Sequence, residues 1–199
     1  MLRALCLDLM GTLLSDPYLE ALEAATGLDA TVAHRFKDPT SWPDFECGLI
    51  DEAEFVRRFF RNGEEGRPLD VPAFHTARRR GYRFLPGMRA LLDALDGRLD
   101  RYVASNYPVW IEELRATFHL DSCCEGVWAS HHLGVRKPDP AFYQRLLQRI
   151  DHPPAACLFV DDLVDNCAGA EAAGMLAHHF DGVDELIARL RAEGIDVSP

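Results

Sequence analysis

The sequence predicts an α/β protein built on an open parallel sheet, with a small helical segment inserted near its start. Three observations support this fold class. Short, continuous apolar runs bounded by turn residues are typical of parallel strands, because a strand covered on both faces loses its alternating pattern. Amphipathic segments with helix-start and helix-stop residues separate these runs. Between the first run and residue 86 the pattern is helical, with almost nothing that indicates a strand.

Strand and helix patterns alternate along most of the chain, which implies right-handed crossovers between neighbouring parallel strands. The predicted strands cover residues 2–9, 101–104, 126–130 and 156–160, with a weaker fifth at 175–179. The predicted helices between and after them cover residues 86–95, 108–118, 140–150, 165–173 and 184–191. In each helix the apolar residues recur at a spacing of three to four, as a single buried face requires.

Residues 15–85 interrupt this alternation. They predict a helical cap that lies as a lid over the sheet edge, whereas residues 1–14 and 86–199 form the α/β core. Asp51 and Asp70 each precede an apolar helical pattern, and Asp is a preferred residue at the start of a helix. The inserted segment therefore contains several short helices in place of strands.

The overall charge limits the partners of the chain. It has 21 basic and 32 acidic residues, which gives a net charge of −11, so we expect it to bind neither nucleic acid nor an anionic membrane surface. The chain can still bind a small anionic substrate at a site where local hydrogen-bond donors or a metal ion outweigh the negative potential of the protein. No apolar run approaches the ~20 residues that a membrane-spanning helix needs. The six cysteines form neither a C-x-x-C pair nor a zinc-binding spacing, which predicts a reduced, cytoplasmic protein.

Polar side chains cluster where the predicted strands end. In open α/β sheets the ligand site lies beyond the carboxyl ends of the strands, so these clusters are candidate functional residues. They occupy positions 8–12 after the first strand, 105–106 after the second, 137–140 after the third and 161–166 after the fourth.

The residue types in these clusters indicate phosphoryl-transfer chemistry. Asp8, Asp161 and Asp162 cannot all stay ionised in one cleft unless a cation compensates them. Carboxylate oxygens suit Mg²⁺, which uses one or two carboxylates together with substrate oxygens. Lys137 and the polar pair at 105–106 add positive charge and donors for a tetrahedral anion. An Asp positioned as nucleophile completes such a site.

Taken in order, the four clusters resemble the motifs of the haloacid dehalogenase superfamily of hydrolases. The inserted helices resemble the C1 cap of its subfamily IA, and segments 134–142 and 159–175 closely follow the third and fourth motifs of that subfamily. The resemblance covers the whole chain. It implies a Rossmann-like core and a Mg²⁺-dependent hydrolase that acts on a small phosphorylated metabolite through an aspartyl-phosphate.

The resemblance also implies the metal ligands. Asp8 resembles the nucleophile, which forms the aspartyl intermediate and ligates Mg²⁺. Asp162 matches the direct metal ligand, and Asp161 binds the ion directly or through water. The backbone carbonyl of the residue at position 10 is a further ligand in this family, and Met10 retains that carbonyl.

The remaining roles concern the phosphoryl group. Ser105 resembles the phosphate-binding hydroxyl, and the backbone of Asn106 assists it. Lys137 resembles the cation that holds the nucleophile and the phosphoryl group together. Thr12 resembles the residue that supports the loop of the first motif.

The departure from the family pattern is Met10. Phosphatases of the family have a second Asp there, which protonates the leaving oxygen and then activates water. A thioether transfers no proton. We therefore expect a loss of ~10²–10⁴-fold for substrates whose leaving alkoxide needs a proton.

Several alternatives accommodate Met10. Dehalogenation needs no proton on the leaving halide, but the Asp161–Asp162 pair differs from the fourth motif of the dehalogenases. Phosphonoacetaldehyde cleavage also dispenses with the second Asp but needs a Schiff-base lysine from the cap. Lys37 is the only lysine there, and its sequence neighbours do not suggest a desolvated amine. A catalytically silent binding or regulatory protein is the remaining class.

A surrogate acid is a further alternative, since some members resembling the α-glucose-1-phosphate phosphatases also lack that carboxylate. Segments 46–55 and 133–143 resemble that branch. The candidate acids are His34, His75, His131 and His132, and the sequence does not select among them. The dense basic run that begins at Arg78 is interpreted as a solvated helix face.

Overall fold

The computed structural model describes residues 1–60 and 68–197, which form a five-stranded sheet whose strands are all parallel. The strands are β1 (Ala4–Leu7), β2 (Asp100–Ser105), β3 (Gly126–Ala129), β4 (Cys157–Asp161) and β5 (Leu176–His179). Each of them falls within or beside one of the predicted apolar runs. The predicted fold class, an open parallel α/β sheet, is therefore confirmed.

The order of the strands, β3-β2-β1-β4-β5, places the first strand at the centre. From β1 the chain builds outward through β2 and β3, and it then returns to the other side of β1 to form β4 and β5. Leu7 is aligned with Val103 on one side and with Val160 on the other. The carboxyl ends of β1 and β4 therefore meet where the direction of winding reverses, which is where open α/β sheets bind ligands.

The apolar runs have no alternation because both faces of the sheet are covered. Leu5 and Leu7 contribute to one buried cluster, which continues into the inserted helices. Ala4 and Cys6, which point the other way, contribute to a second buried cluster under the helix that spans residues 140–147. A strand between two apolar layers presents apolar side chains at every position.

Five short helices occupy the inserted segment, counted over its described residues 15–60 and 68–85. They are α1 (Tyr18–Thr26), α2 (Ala30–Phe36), α3 (Ser41–Glu46), α4 (Glu52–Arg58) and α5 (Val71–Gly81). Asp51 accepts a hydrogen bond from the backbone N–H of Glu54 at 2.8 Å, and Asp70 accepts one from the N–H of Ala73 at 2.9 Å. Residues 61–67 of the predicted cap lie outside the described part of the chain.

The remaining helices flank the sheet. They are α6 (Met88–Ala94), α7 (Ile111–Thr117), α8 (Ser130–Leu133), α9 (Pro140–Leu147), α10 (Val164–Ala172) and α11 (Val183–Ala192). The single turn of α8 was not predicted, because a helix of four residues is too short to show a periodicity. Among the described residues, no helix combines the length and the apolar character that crossing a bilayer requires.

The inserted segment joins the core through two adjacent crossings of the chain. The N–H of Ser15 donates to the carbonyl of Arg83 at 2.9 Å, and the N–H of Leu85 donates to the carbonyl of Leu13 at 3.0 Å. Gly81 packs so closely on Pro17 that an added Cβ would lie 2.2 Å from the proline ring. The chain segments that enter and leave the insertion, at residues 13–17 and 81–85, therefore pack against each other beside the carboxyl end of β1.

Candidate active site

Three carboxylates meet at the carboxyl ends of β1 and β4. Asp8 directly follows β1, and its N–H donates to the carbonyl of Val160 at 2.8 Å. Asp161 is the last residue of β4, and Asp162 follows it. One oxygen of each carboxylate lies within 4.8 Å of the other two. The alignment of the two strands therefore brings together side chains that are distant in sequence.

Lys137 neutralises part of this acidic cluster. Its Nζ donates to Asp8 Oδ1 at 2.7 Å, to Asp161 Oδ2 at 2.5 Å and to the carbonyl of Ala104 at 2.9 Å. Its side chain is only 1% exposed. The three donors of the ammonium group are thus all used, and two of the three acceptors are carboxylates.

Burial and charge oppose each other at this site. Burial raises the pKa of Asp8, and the nearby charge of Asp161 raises it as well. Lys137 lowers it, and the pKa of Asp8 is about 6. Burial alone would lower the pKa of Lys137, but Asp8 and Asp161 raise it above its ordinary value. Lys137 is therefore protonated at neutral pH. Burial and Asp161 also raise the pKa of Asp162.

The two adjacent carboxylates differ in their partners. Asp161 Oδ1 accepts hydrogen bonds from the N–H of Leu163 and from Asn166 Nδ2, both at 2.9 Å, while Oδ2 accepts from Lys137. The Asp162 carboxylate interacts with its own backbone N–H, and within residues 1–60 and 68–197 no other residue donates a hydrogen bond to it. Asp161 is thus fixed by the protein, whereas Asp162 is open to a ligand.

The first-motif loop leaves room for Asp162 at Gly11. The φ of Gly11 is +77°, and an added Cβ would lie 2.6 Å from Asp162 Oδ2. A glycine is therefore required both by the backbone conformation and by the nearby carboxylate. Oxygen donors from Asp8 and Asp162 fit a hard cation such as Mg²⁺, which prefers carboxylate and water oxygens.

The other predicted site residues border this cluster. Ser105 is the last residue of β2 and is buried. The side chain of Asn106 accepts from the N–H of Lys137 at 2.7 Å and donates to its carbonyl at 3.0 Å. Thr12 is fully buried, and its hydroxyl has no hydrogen-bond partner in the described ranges. Asn106 therefore positions the backbone of Lys137 through its side chain, a contact that the sequence did not suggest.

A cavity of about 490 Å³ adjoins the site at Met10 and Asn106. Its aromatic lining residues are Tyr18, Trp42, Phe74, Tyr82, Tyr107 and Trp110. The charged side chains of the lining are Asp16, Lys37, Glu46, Arg78 and Arg136. Inserted helices supply one side of this cavity and the loops of the core supply the other. A ligand in it would touch aromatic rings and fixed charges together.

Lys37 lies in this cavity and corrects one expectation. Its Nζ donates to the hydroxyl of Tyr18 at 2.7 Å and lies 5.3 Å from the centre of the Trp42 ring. Burial lowers the pKa of Lys37 to about 8. The expectation of an ordinary, hydrated amine was wrong, because its desolvation comes from the packing of α1 and α3 around it and not from its neighbours in sequence.

Arg78 corrects a second expectation, since its side chain is only 2% exposed. It lines the cavity and lies over the Trp110 ring, at 4.6 Å from the ring centre. The interpretation of the basic run as a solvated helix face is therefore wrong for Arg78, whereas Arg79, with 57% exposure, does face solvent. One arginine in a run points inward because a helix turns each successive residue to a different side.

The candidate histidine acids occupy different places. His34 lines the cavity that contains Met10. His75 Nε2 pairs with Glu52 at 2.7 Å, and its Nδ1 accepts from Arg78. His132 Nε2 pairs with Glu112 at 2.7 Å, and His131 lines a separate cavity. Of the four, His34 is thus the one that borders the cavity at Met10.

The comparison with protein families agrees with this geometry. Residues 2–174 match the model of the haloacid dehalogenase-like hydrolase family. The chain therefore belongs to this family and is a hydrolase.

Two curated relatives and one solved structure illustrate its similarities. Flavin mononucleotide hydrolase 1 of Arabidopsis thaliana, a chloroplast protein by its name, is 33% identical over 99% of this chain and 80% of its own length. Sesquiterpene phosphatase astK of Aspergillus oryzae is 36% identical over 70% of this chain and 72% of its own. A haloacid dehalogenase family enzyme of Bacteroides thetaiotaomicron, solved with magnesium and inorganic phosphate, has a TM-score of 0.76 at 18% identity, covering 94% of this chain and 99% of that one.

Proposed function

We propose that this protein is a Mg²⁺-dependent phosphatase that hydrolyses a small phosphorylated metabolite through an aspartyl-phosphate on Asp8. The observation that carries the proposal is the joint position of Asp8, Asp162 and Lys137 beside the aromatic cavity. Lys137 occupies one oxygen of Asp8, at 2.7 Å, and leaves Oδ2 without a hydrogen-bond partner in the described chain. That second oxygen is the nucleophile.

The carboxylates of Asp8 and Asp162 would hold Mg²⁺, together with the Met10 carbonyl that the family resemblance implies. Asp161, whose oxygens are engaged by protein donors, keeps Lys137 in place. When bound, the ion supplies positive charge that favours the approach of a phosphoryl group to a carboxylate.

The reaction then proceeds in two displacements. Asp8 Oδ2 attacks phosphorus, the P–O bond to the leaving group breaks, and that oxygen departs with the bonding electrons. Water next attacks the phosphorus of the aspartyl-phosphate, which releases inorganic phosphate and restores the carboxylate. The hydroxyl of Ser105 binds a phosphoryl oxygen, and Lys137, whose three donors are held by Asp8, Asp161 and Ala104, contributes its positive charge. Asn106 and Thr12 support the loops that carry these groups.

Met10 determines which esters react fast. Its thioether cannot protonate the leaving oxygen, so phosphates with good leaving groups react well and simple alkyl phosphates react slowly unless another acid replaces it. His34 is the candidate histidine that borders the same cavity. We place the physiological substrate among phosphate monoesters whose organic part fills the aromatic cavity.

Flavin mononucleotide is the first substrate to test. The relative with 33% identity over nearly the whole chain is named for its hydrolysis. The rings of Trp42 and Trp110, whose centres lie 6.0 Å apart, provide aromatic surface for a flat ring system. Residues 15–85 act as the cap that covers this ring and excludes water from the phosphoryl group. The buried free thiols of the described chain support a cytoplasmic or other reducing compartment.

A second candidate function rests on Lys37. A desolvated amine with a pKa of about 8 can form a Schiff base with a carbonyl substrate, as phosphonoacetaldehyde cleavage requires. Borohydride reduction in the presence of phosphonoacetaldehyde, followed by mass spectrometry, would attach the carbon skeleton to Lys37 if this candidate is correct. An unmodified lysine rules it out.

The phosphatase proposal is tested by release of inorganic phosphate from flavin mononucleotide and from a panel of phosphorylated metabolites. We expect Mg²⁺-dependent turnover that Asp8→Asn abolishes. Asp151→Asn, at an exposed position outside the site, is the matched control and should leave turnover unchanged. Equal activity of wild type and Asp8→Asn would exclude the nucleophile. Absence of turnover of every phosphate, with Mg²⁺ bound, would favour a silent binding protein.

A further inference from the structure

We propose that Arg78 recognises the organic part of the substrate by donating a hydrogen bond to an acceptor atom on an unsaturated ring. The ligand class is thus a phosphate ester whose flat ring carries a carbonyl oxygen or an unprotonated ring nitrogen. This inference rests on the proposed function, because the phosphate of the same molecule would lie at Asp8. It adds a specificity-determining residue on the inserted helices.

The hydrogen bonds of Arg78 leave one nitrogen available. Its Nε donates to His75 Nδ1 at 2.8 Å, and its Nη2 donates to Glu113 Oε2 at 2.6 Å. Nη1 is buried and has no partner of acceptable geometry among the described residues, although the Tyr82 hydroxyl lies near the guanidinium. That hydroxyl shares a hydrogen bond with Tyr107 and interacts with the Arg78 side chain, but it is not placed to accept a well-formed hydrogen bond from Nη1.

An unpaired buried donor calls for a physical reason. Such groups are rare in native proteins, and each costs about 1–3 kcal/mol when nothing accepts from it. Arg78 lines the aromatic cavity, so a ligand there can supply the missing acceptor. The contacts to His75 and Glu113 fix the guanidinium before the ligand arrives, which reduces the entropy lost on binding.

The surroundings of Nη1 define the chemistry of the ligand. Arg78 lies 4.6 Å from the centre of the Trp110 ring, and the Phe74 and Trp110 ring centres are 5.6 Å apart. A flat ring in contact with these side chains presents its edge to the guanidinium. A hydrocarbon chain would contact the same rings but would offer no acceptor to Nη1, so it would gain no hydrogen bond from the guanidinium.

The test compares two substrates in Arg78→Met. Flavin mononucleotide has ring acceptors, whereas phenyl phosphate has an aromatic ring without them. We expect KM for flavin mononucleotide to rise about tenfold, as for loss of a hydrogen bond to a charged donor, and KM for phenyl phosphate to change less than about twofold. Arg79→Met is the matched control, because Arg79 also pairs with Glu113 but is exposed and lies outside the cavity. It should affect neither substrate.

Other outcomes would overturn the inference. An equal loss on both substrates means that Arg78 only positions the inserted helices, and an unchanged KM for flavin mononucleotide means that it donates to no ring atom. If Arg78→Met does not fold, Arg78→Lys, which keeps the charge but loses the fixed fork, takes its place with the same expectation.

Binding of riboflavin separates this inference from the phosphatase proposal. Riboflavin has the ring without the phosphate, and its fluorescence reports binding even if the enzyme hydrolyses neither ester. We expect its dissociation constant to rise about tenfold in Arg78→Met and to stay unchanged in Arg79→Met. Equal dissociation constants in the three proteins, or no binding to wild type, would contradict the role of Arg78 whatever the outcome of the turnover assays.

Discussion

The ammonium group of Lys137 lies 2.7 Å from Asp8 Oδ1, although 129 residues separate the two in sequence. The same ammonium contacts Asp161 at 2.5 Å. One buried cation therefore bridges two buried carboxylates and leaves the second oxygen of Asp8 without a hydrogen bond in the described chain. The stability of this end of the sheet depends on the contact, and so does the reactivity that we propose for Asp8.

Replacement of Lys137 by Met should destabilise the protein by about 3–5 kcal/mol at pH 7, because two buried carboxylates then face each other without a cation. Burial already raises the pKa of Asp8 above its ordinary value, and loss of Lys137, which lowers it, raises that pKa further in the folded variant. The folded variant therefore binds more protons than the unfolded one, and its free energy of unfolding falls as pH rises from 5 to 8. Urea denaturation at several pH values measures this slope. A loss relative to wild type that is equal at pH 5 and pH 8 would contradict the account.

Replacement of Gly11 by Ala should weaken Mg²⁺ binding by about tenfold or more, because the new Cβ would lie 2.6 Å from Asp162 Oδ2 and displace that carboxylate. Gly27→Ala is the control: its φ of +64° imposes a similar backbone strain of about 1 kcal/mol, but no atom lies within 4 Å of its added Cβ. Isothermal titration with Mg²⁺ distinguishes the two variants. Equal affinities would show that Asp162 does not hold the ion.

Replacement of Met10 by Asp should raise kcat/KM for alkyl phosphates by about 10²–10⁴-fold and leave aryl phosphates within a few-fold of wild type, since only poor leaving groups need the added proton donor. The measurement is the dependence of log kcat/KM on the pKa of the leaving group, which should be steeper in wild type than in the variant. Met10→Leu controls for the change in side chain. Equal slopes in wild type and Met10→Asp would mean that another acid already acts.

The cavity lysine should produce a basic limb in the pH profile. Burial lowers the pKa of Lys37 to about 8, so this side chain loses its charge above pH 8, well before a hydrated lysine would. If the charge assists binding of an anionic ester, kcat/KM falls above pH 8 in wild type. Lys37→Arg, which stays charged, should remain flat to higher pH, and Lys37→Met should be low and flat throughout. A limb near pH 8 in all three proteins would assign it to another group.

Much of the candidate site could be predicted because most of its groups lie at the ends of strands. The apolar runs located β1 and β4, and parallel pairing then required Asp8 and Asp161 to lie side by side. The ordered motifs added Lys137 and Asp162. These predictions depend on local patterns and on one topological rule, so the sequence was sufficient for them.

The aromatic cavity could not be predicted, because one of its sides consists of short helices whose packing angles no periodicity encodes. Trp42, Lys37 and Arg78 belong to three different parts of the insertion, and only the folded chain brings them to one cavity. The burial of Arg78 depends on Glu113 of α7, which lies in the core. Helices α2 and α3, with seven and six residues, were also too short for a clear pattern.

The chain passes between the core and residues 15–85 at two adjacent points, near Ser15 and Leu85, and these points separate two groups of side chains. The groups proposed to bind and attack the phosphate lie at the strand ends and in the loops of the core, whereas Arg78 and Lys37 belong to the inserted segment. The insertion can be exchanged for that of another family member by joining the two at Ser15 and Leu85. This exchange should therefore change the substrate specificity and preserve the mechanism of phosphate hydrolysis. New selectivities can arise in this scaffold without rebuilding its chemistry.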